Sequence, residues 1–197
     1  MRSQTRTIER HERILEAALD VFTRSGFQDA VVDDIADAAS TSKGGLYFHF
    51  PGKDALFLAV LDRTAMLLRS RLELALAMEA EPLARLETTL RALLQTFGAH
   101  RKAARLFLID TPGAGPRFHR RMMTLRAEFT GLIVAELENA VAAGVIAPVD
   151  CRVAAQVWFG GIHEIVSQWA LAEDPEDLLA RLPALRALLL RSVGTAA

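Results

Sequence analysis

A chain of 197 residues with 51% hydrophobic side chains and a formal net charge of −1 is long enough for one or two compact domains, which excludes wholesale disorder, and it has no global basic field to mark a nucleic-acid binder. One cysteine, Cys151, excludes an intramolecular disulfide framework and a multi-cysteine zinc site, suits a reducing compartment, and has a buried inert thiol as its ordinary role. The opening MRSQTRTIERHERIL interleaves charges where a signal peptide needs an apolar run, and the apolar tracts at 157–162 and 185–190 fall short of the roughly 20 residues that cross a bilayer, so a soluble cytoplasmic protein is expected.

Ile14, Ala18, Val21 and Phe22 recur at helical spacing and predict a first helix that stops at Ser25-Gly26, where glycine can take a left-handed cap. Val32, Ile35, Ala36 and Ala39 predict a second, two-turn helix, with Asp33 and Asp34 at the positive end of its dipole and Asp29 as the nearest cap. Ser42 caps a third short helix through Phe48, before Pro51-Gly52 breaks the chain. A long helix from Lys53 carries Leu56, Phe57, Val60, Leu61, Leu67, Leu68 and Leu72 without glycine or proline and can join two lobes rigidly. Further helices are predicted over 82–97, 102–110, 117–143, 150–171 and 175–193, the last starting at Asp174-Pro175 and kinked at Pro183. No alternating strand pattern and no repeat occurs, so the fold class is all-α, with a helix-turn-helix domain over 1–52 and a helical bundle over 53–197.

The layout of residues 32–47, two short helices about a tight turn, is that of a helix-turn-helix, with Leu46 pinning the third helix to Ile35 and Ile14. The order and spacing of Gly26-Phe27, Asp34-Ile35-Ala36, Ala38-Ala39, Ser42-Lys43-Gly44-Gly45-Leu46-Tyr47-Phe48-His49-Phe50, Lys53 and Leu56 resemble the TetR family over about the first sixty residues. The resemblance implies that Ser42, Lys43, Gly44, Gly45, Tyr47, His49 and Lys53 lie at or near DNA. It also implies that the C-terminal lobe is a divergent effector-binding and dimerising bundle. The residue chemistry agrees. Tyr47, His49 and Lys53 can donate to phosphates, Lys43 can donate to guanine O6 and N7, and two glycines in one short helix suit close approach of backbone to a partner. Arg2, Arg6, Arg10 and Arg13 are candidates for a flexible arm, diluted by Glu9 and Glu12. Three departures from the family pattern stand out. Ser40 sits where the turn usually has glycine, Ala30-Val31 where a hydroxyl cap is usual, and residues 1–60 hold seven Lys/Arg against nine Asp/Glu, a net of −2 that predicts weak affinity for arbitrary DNA.

In the C-terminal lobe, Trp158, Ile162, Ile165 and Trp169 form one helical stripe, and Ala154, Val157 and Gly161 form another beside it. Leu178, Leu182, Leu185 and Leu189 repeat the spacing in the last helix. The first and third of these sets are the candidate dimer interface, a four-helix arrangement that the resemblance also implies, although ordinary core accounts for about half of them. Phe107, Phe118, Met122, Phe129, Trp158, Phe159 and His163 are candidates for an effector pocket, with plain core as the competing role. Arg117, Arg120 and Arg121, following the 113–116 glycine-proline loop, are candidates for an anion site. An apolar cavity with a cationic mouth suits a fatty acyl-CoA, and this region resembles acyl-CoA-responsive family members; a cationic drug would instead draw on Asp110, Glu128 or Glu164.

No HExxH, Walker loop or Gly-x-Ser-x-Gly elbow occurs, and Gly113-Ala114-Gly115 lacks the preceding strand of a dinucleotide fold, so an enzyme, a cofactor or a metal is not expected. The sequence therefore points to a repressor that binds a palindromic operator as a homodimer and is released by a small lipophilic effector. The alternative is a lipid or small-molecule carrier without a DNA role.

Overall fold

Hydrophobic periodicity of 3.6 residues runs through almost the whole chain, and the structure it produces is a stack of helices. The computed structural model describes residues 2–194, side chains excepted at positions 2–6 and 112. The helices are α1 (Arg2–Asp29), α2 (Val32–Ala38), α3 (Lys43–His49), α4 (Lys53–Ala77), α5 (Pro82–Ala99), α6 (Arg101–Arg105), α7 (Pro116–Ala142), α8 (Cys151–Leu171) and α9 (Leu182–Ser192). A π-helical turn, Leu106–Asp110, and a 3₁₀ turn, Thr111–Gly113, prolong α6, and a 3₁₀ turn, Leu178–Arg181, precedes α9. Among the described residues there is no strand, and no helix is long and apolar enough to cross a membrane.

Helices α1 to α3 enclose Ile14, Phe22, Ile35 and Leu46, each fully buried, as the expected pinning of the third helix requires. Gly26, at φ 74° and ψ 169°, interrupts α1 with a kink where the stop is expected, and a short second helical segment follows to Asp29. At the other end α1 begins at Arg2, about three turns before Ile14. The flexible arm is thus corrected to helix, with the side chains of Arg2 and Arg6 outside the described residues. Glu12 on this extension pairs with Arg63 of α4 at 3.1 Å, beside Glu16 one turn on at 2.9 Å, which gives the end of the added turns a fixed neighbour.

The α2–α3 turn forms without the usual glycine. Ser40 adopts φ 51° while its N–H donates to Asp37 O at 3.0 Å and the Thr41 N–H donates to Ala36 O at 2.9 Å, the paired bonds of a Schellman termination. The expected Asp29 cap is corrected: α2 starts after Val31 with no side-chain cap, and Asp33 and Asp34 in its first turn supply the favourable charge instead. Ser42 caps α3 as expected, its Oγ accepting from the Gly45 N–H at 3.1 Å.

Lys53 begins α4 and closes the junction above it. Its ammonium donates to Gln28 O at 2.9 Å and Ala30 O at 3.0 Å and lies 4.8 Å over the Phe27 ring. Phe27, Phe57 and Phe118, from α1, α4 and α7, meet edge to face with centroids 4.6 to 4.9 Å apart. The core therefore runs unbroken from the first three helices into the bundle. Beyond the junction, α4, α5, α7, α8 and α9 surround a common interior. Asp150 caps α8 by accepting from the N–H groups of Arg152 and Val153, and Pro116 starts α7, where its missing N–H costs nothing. The last helix is corrected: residues 175–177 are not helical, the Asp177 carboxylate caps a 3₁₀ turn at Leu179 N–H, and Pro183 lies in the first turn of α9 instead of kinking a longer helix.

Candidate functional site

The second helix of the motif presents an exposed face made of the expected residues. Tyr47 is 43% exposed and Phe48 82% exposed on a helix whose inward anchor is Leu46. The Lys43 ammonium sits 2.9 Å from one Asp33 oxygen and 3.1 Å from the other, with both side chains open to water. Asp33 holds the lysine pKa above its ordinary value through this hydrogen bond and its charge. An exposed pair of this kind is held weakly and can be exchanged for a better acceptor. His49 packs edge-on to His11 at 5.9 Å between centroids, and burial, with the charges of His11 and Arg10, lowers its pKa, which favours the neutral imidazole.

The two glycines of α3 differ. A Cβ at Gly45 would lie 2.6 Å from Thr41 Oγ1, so glycine there answers to internal packing; a Cβ at Gly44 would meet nothing within 4 Å. Lys53 differs from expectation too. Two of its three donors are spent on carbonyls of the α1–α2 link, leaving one for an outside acceptor.

The second feature is a cavity in the bundle of about 1030 Å³, its opening to solvent included. Its wall is apolar: Leu68, Leu72 and Leu76 from α4, Leu86, Leu90 and Leu93 from α5, and Leu132 and Ile133 from α7. Among the effector candidates, Phe107, Phe129, Trp158, Phe159 and His163 line this space. Phe107 and Leu108 are offered by the π-helical turn, at whose end the Thr111 hydroxyl donates to the Leu106 carbonyl at 2.6 Å. The Trp158 indole N–H is satisfied by Ser192 Oγ at 3.0 Å. His163 is half-buried, and burial, reinforced by Arg126, lowers its pKa, so the cavity holds a neutral imidazole at pH 7.

The remaining effector candidates lie elsewhere. Phe118 is 3% exposed inside the aromatic junction, and Arg117, Arg120, Arg121 and Met122 do not line the cavity. Arg117 pairs with Asp54 at 3.5 Å and Arg121 with Asp62 at 2.7 Å, both on α4. Arg117 and Arg121 thus fasten α7 to α4, a use that their spacing in sequence could not separate from anion binding.

Most of the dimer candidates lie inside the single chain. Trp158, Leu178, Leu182, Leu185 and Leu189 are 9% exposed or less within the single chain. Trp169 braces its own chain, donating to Glu176 O at 2.7 Å under the Arg101 guanidinium. Ile162 and Ile165 are half-buried against the same core. The apolar side chains that do face outward on the last two helices are Val153, Val157 and Leu171 of α8 and Leu188 of α9, 51 to 62% exposed, with Gly161 open beside Val157. The neighbouring stripe of α8 is therefore the outer one. Both stripes are apolar, so periodicity alone could not rank them.

An exposed short recognition helix above a helical bundle with an apolar interior defines a helix-turn-helix transcriptional regulator. Residues 14–60 match the family model described as bacterial regulatory proteins, tetR family, and residues 79–170 match the tetracyclin repressor-like C-terminal domain. The chain belongs to the TetR family. It is similar to the HTH-type transcriptional regulator RutR of Escherichia coli K12, 29% identical over 185 residues, which cover 90% of this chain and 79% of that one. It is also similar to the HTH-type transcriptional repressor BepR of Brucella suis, 25% identical over 190 residues, covering 90% and 88%. Among solved structures, FadR from Bacillus subtilis in complex with stearoyl-CoA shares the fold with a TM-score of 0.84 at 20% identity, covering 91% of this chain and 97% of that one. PfmR from Thermus thermophilus gives 0.78 at 26%, covering 91% and 97%.

Proposed function

We propose that this regulator is a repressor that binds a palindromic operator as a homodimer and leaves it when a lipophilic effector carrying a fatty acyl chain fills the bundle cavity. The observation that carries the reading is the pairing of an exposed α3 with an enclosed apolar cavity, joined by one helix. Helix α4 is clamped to the DNA-facing unit at Lys53 and lines the cavity at Leu68, Leu72 and Leu76, so a ligand that displaces its C-terminal half moves its start. An acyl chain suits a wall built almost wholly of leucine, isoleucine and aromatic side chains, and the same fold holds stearoyl-CoA in the Bacillus subtilis FadR.

At the operator, Lys43 reads a base while Tyr47, His49 and the remaining Lys53 donor hold phosphates, with Ser42 and Gly44 beside them. The outward stripes of α8 and α9 supply the partner contact, because four exposed apolar side chains on two adjoining helices are costly to leave in water. The test is operator binding to the gene's own upstream region, across base variants and with acyl-CoAs added. Tyr47→Phe should weaken all variants alike, whereas Lys43→Ala should weaken the best operator on the order of tenfold and relax preference at one position per half-site. Failure of every upstream fragment to bind would instead favour a carrier.

A further inference from the structure

We infer that the cavity mouth between α5 and α9 is an anion site, and that the effector is an apolar chain ending in an anionic group that takes the place of Glu87 on Arg186 and Arg91. The inference rests on the cavity being the effector site and adds the chemistry of its head group. Glu87 and Arg186 both line the cavity. Glu87 is shared: its Oε2 accepts from Arg186 Nε at 2.6 Å and its Oε1 from Arg91 Nη2 at 3.2 Å. Two guanidiniums against one carboxylate leave the cluster one positive charge in excess. All three side chains are partly open, 31% exposed for Glu87, 42% for Arg186 and 45% for Arg91, and Arg91 reaches Glu87 from outside the cavity wall, so a polar head held here would stay hydrated.

The other charged pair at the cavity contrasts with it. Glu136, 9% exposed, is held by two bonds from Arg85 at 2.7 and 2.8 Å. Arg85 also donates to Leu76 O at 2.8 Å and Glu79 O at 3.2 Å. Four of that arginine's five N–H donors are spent tying α5 to α4 and α7, and its side chain does not line the cavity. Arg186, by contrast, has one partner, and it is a partner already divided between two cations. A guanidinium binds an incoming carboxylate or phosphate by the same planar fork. A second polar group points to a missing partner: Thr89 Oγ1 is buried, lines the same cavity and has no hydrogen-bond partner.

Calorimetric titration of the purified protein with dodecanoate, its methyl ester and its CoA thioester tests the assignment. The anionic ligands should bind at least about tenfold tighter than the ester. Arg186→Ala should erase that difference. Glu87→Gln should tighten the anionic ligands several-fold, because it removes their competitor, an effect opposite to that of breaking a structural ion pair. Tighter binding of the free acid identifies a carboxylate head, and tighter binding of the thioester identifies the CoA phosphates; both support the site if Arg186→Ala removes the gain. Equal affinity for ester and anions overturns the anion site while leaving the acyl cavity standing. Weakening of the anions by Glu87→Gln as well as Arg186→Ala also overturns it. Binding of none of the three overturns the cavity reading with it.

Discussion

Gly44 and Gly45 are adjacent in sequence and differ in cause. Gly45 is required by Thr41 beneath it, whereas Gly44 faces open space, so only Gly44 can be explained by something outside the chain. Glycine in a helix costs about 0.5–1 kcal/mol relative to alanine. Gly44→Ala should therefore raise the urea midpoint by a corresponding amount and weaken operator binding at least several-fold, as its methyl group enters the gap that DNA backbone or base edges fill. Loss of stability in that variant would give Gly44 a structural role and remove it from the DNA face. Lys53 shows the limit of reading a residue from its chemistry. A lysine at a helix start suits a phosphate, and nothing in its immediate sequence says that Gln28 and Ala30 carbonyls lie within 3.0 Å of its ammonium. Arg117 and Arg121 were opaque for the same reason, their partners Asp54 and Asp62 being more than fifty residues away.

Between α2 and α3 the chain closes a Schellman turn with a serine in the left-handed region, at φ 51°. That conformation costs a non-glycine residue roughly 1 kcal/mol, since Cβ crowds the following carbonyl. Ser40→Gly should recover about that amount in chemical denaturation, and Ser40→Ala should recover none. A fall in stability with glycine would show that the hydroxyl, and not the backbone, is what the turn needs. At this scale most of the fold was legible. Local signals announced α3 and α4, with Ser42 as a cap and Pro51-Gly52 as a break, and the period of apolar side chains announced α2, α5 and α8. The early part of α1 was missed because residues 2–13 are too polar to show a period. Its turns are held by Arg63 across a helix interface. The end of the chain misled for the opposite reason. Leu178 and Leu182 keep helical spacing across what is a 3₁₀ turn followed by a fresh start, and side-chain period alone does not separate the two.

The exposed apolar side chains of the last two helices, Val153, Val157 and Leu171 on α8 with Leu188 on α9, form a face that has no cover within the chain. A charge at its centre would be buried unpaired by a partner, which costs several kcal/mol. Val157→Asp should sediment as a 21.6 kDa monomer where the parent chain sediments at twice that mass, and it should lose operator binding while keeping its helical content. A dimeric Val157→Asp protein would place the interface elsewhere. The aromatic junction has a different consequence, for anyone who treats such regulators as interchangeable parts. A boundary at residue 52 looks natural in the sequence, yet Phe27 closes against Phe57 and Phe118, and Gln28 Nε2 donates to Ala114 O at 3.3 Å. A reading head transplanted with residues 1–60 onto another sensor would arrive with two of three rings and a hole where the third belonged. A working hybrid has to carry the first turn of α7 with it, a splice of two distant segments instead of a single cut.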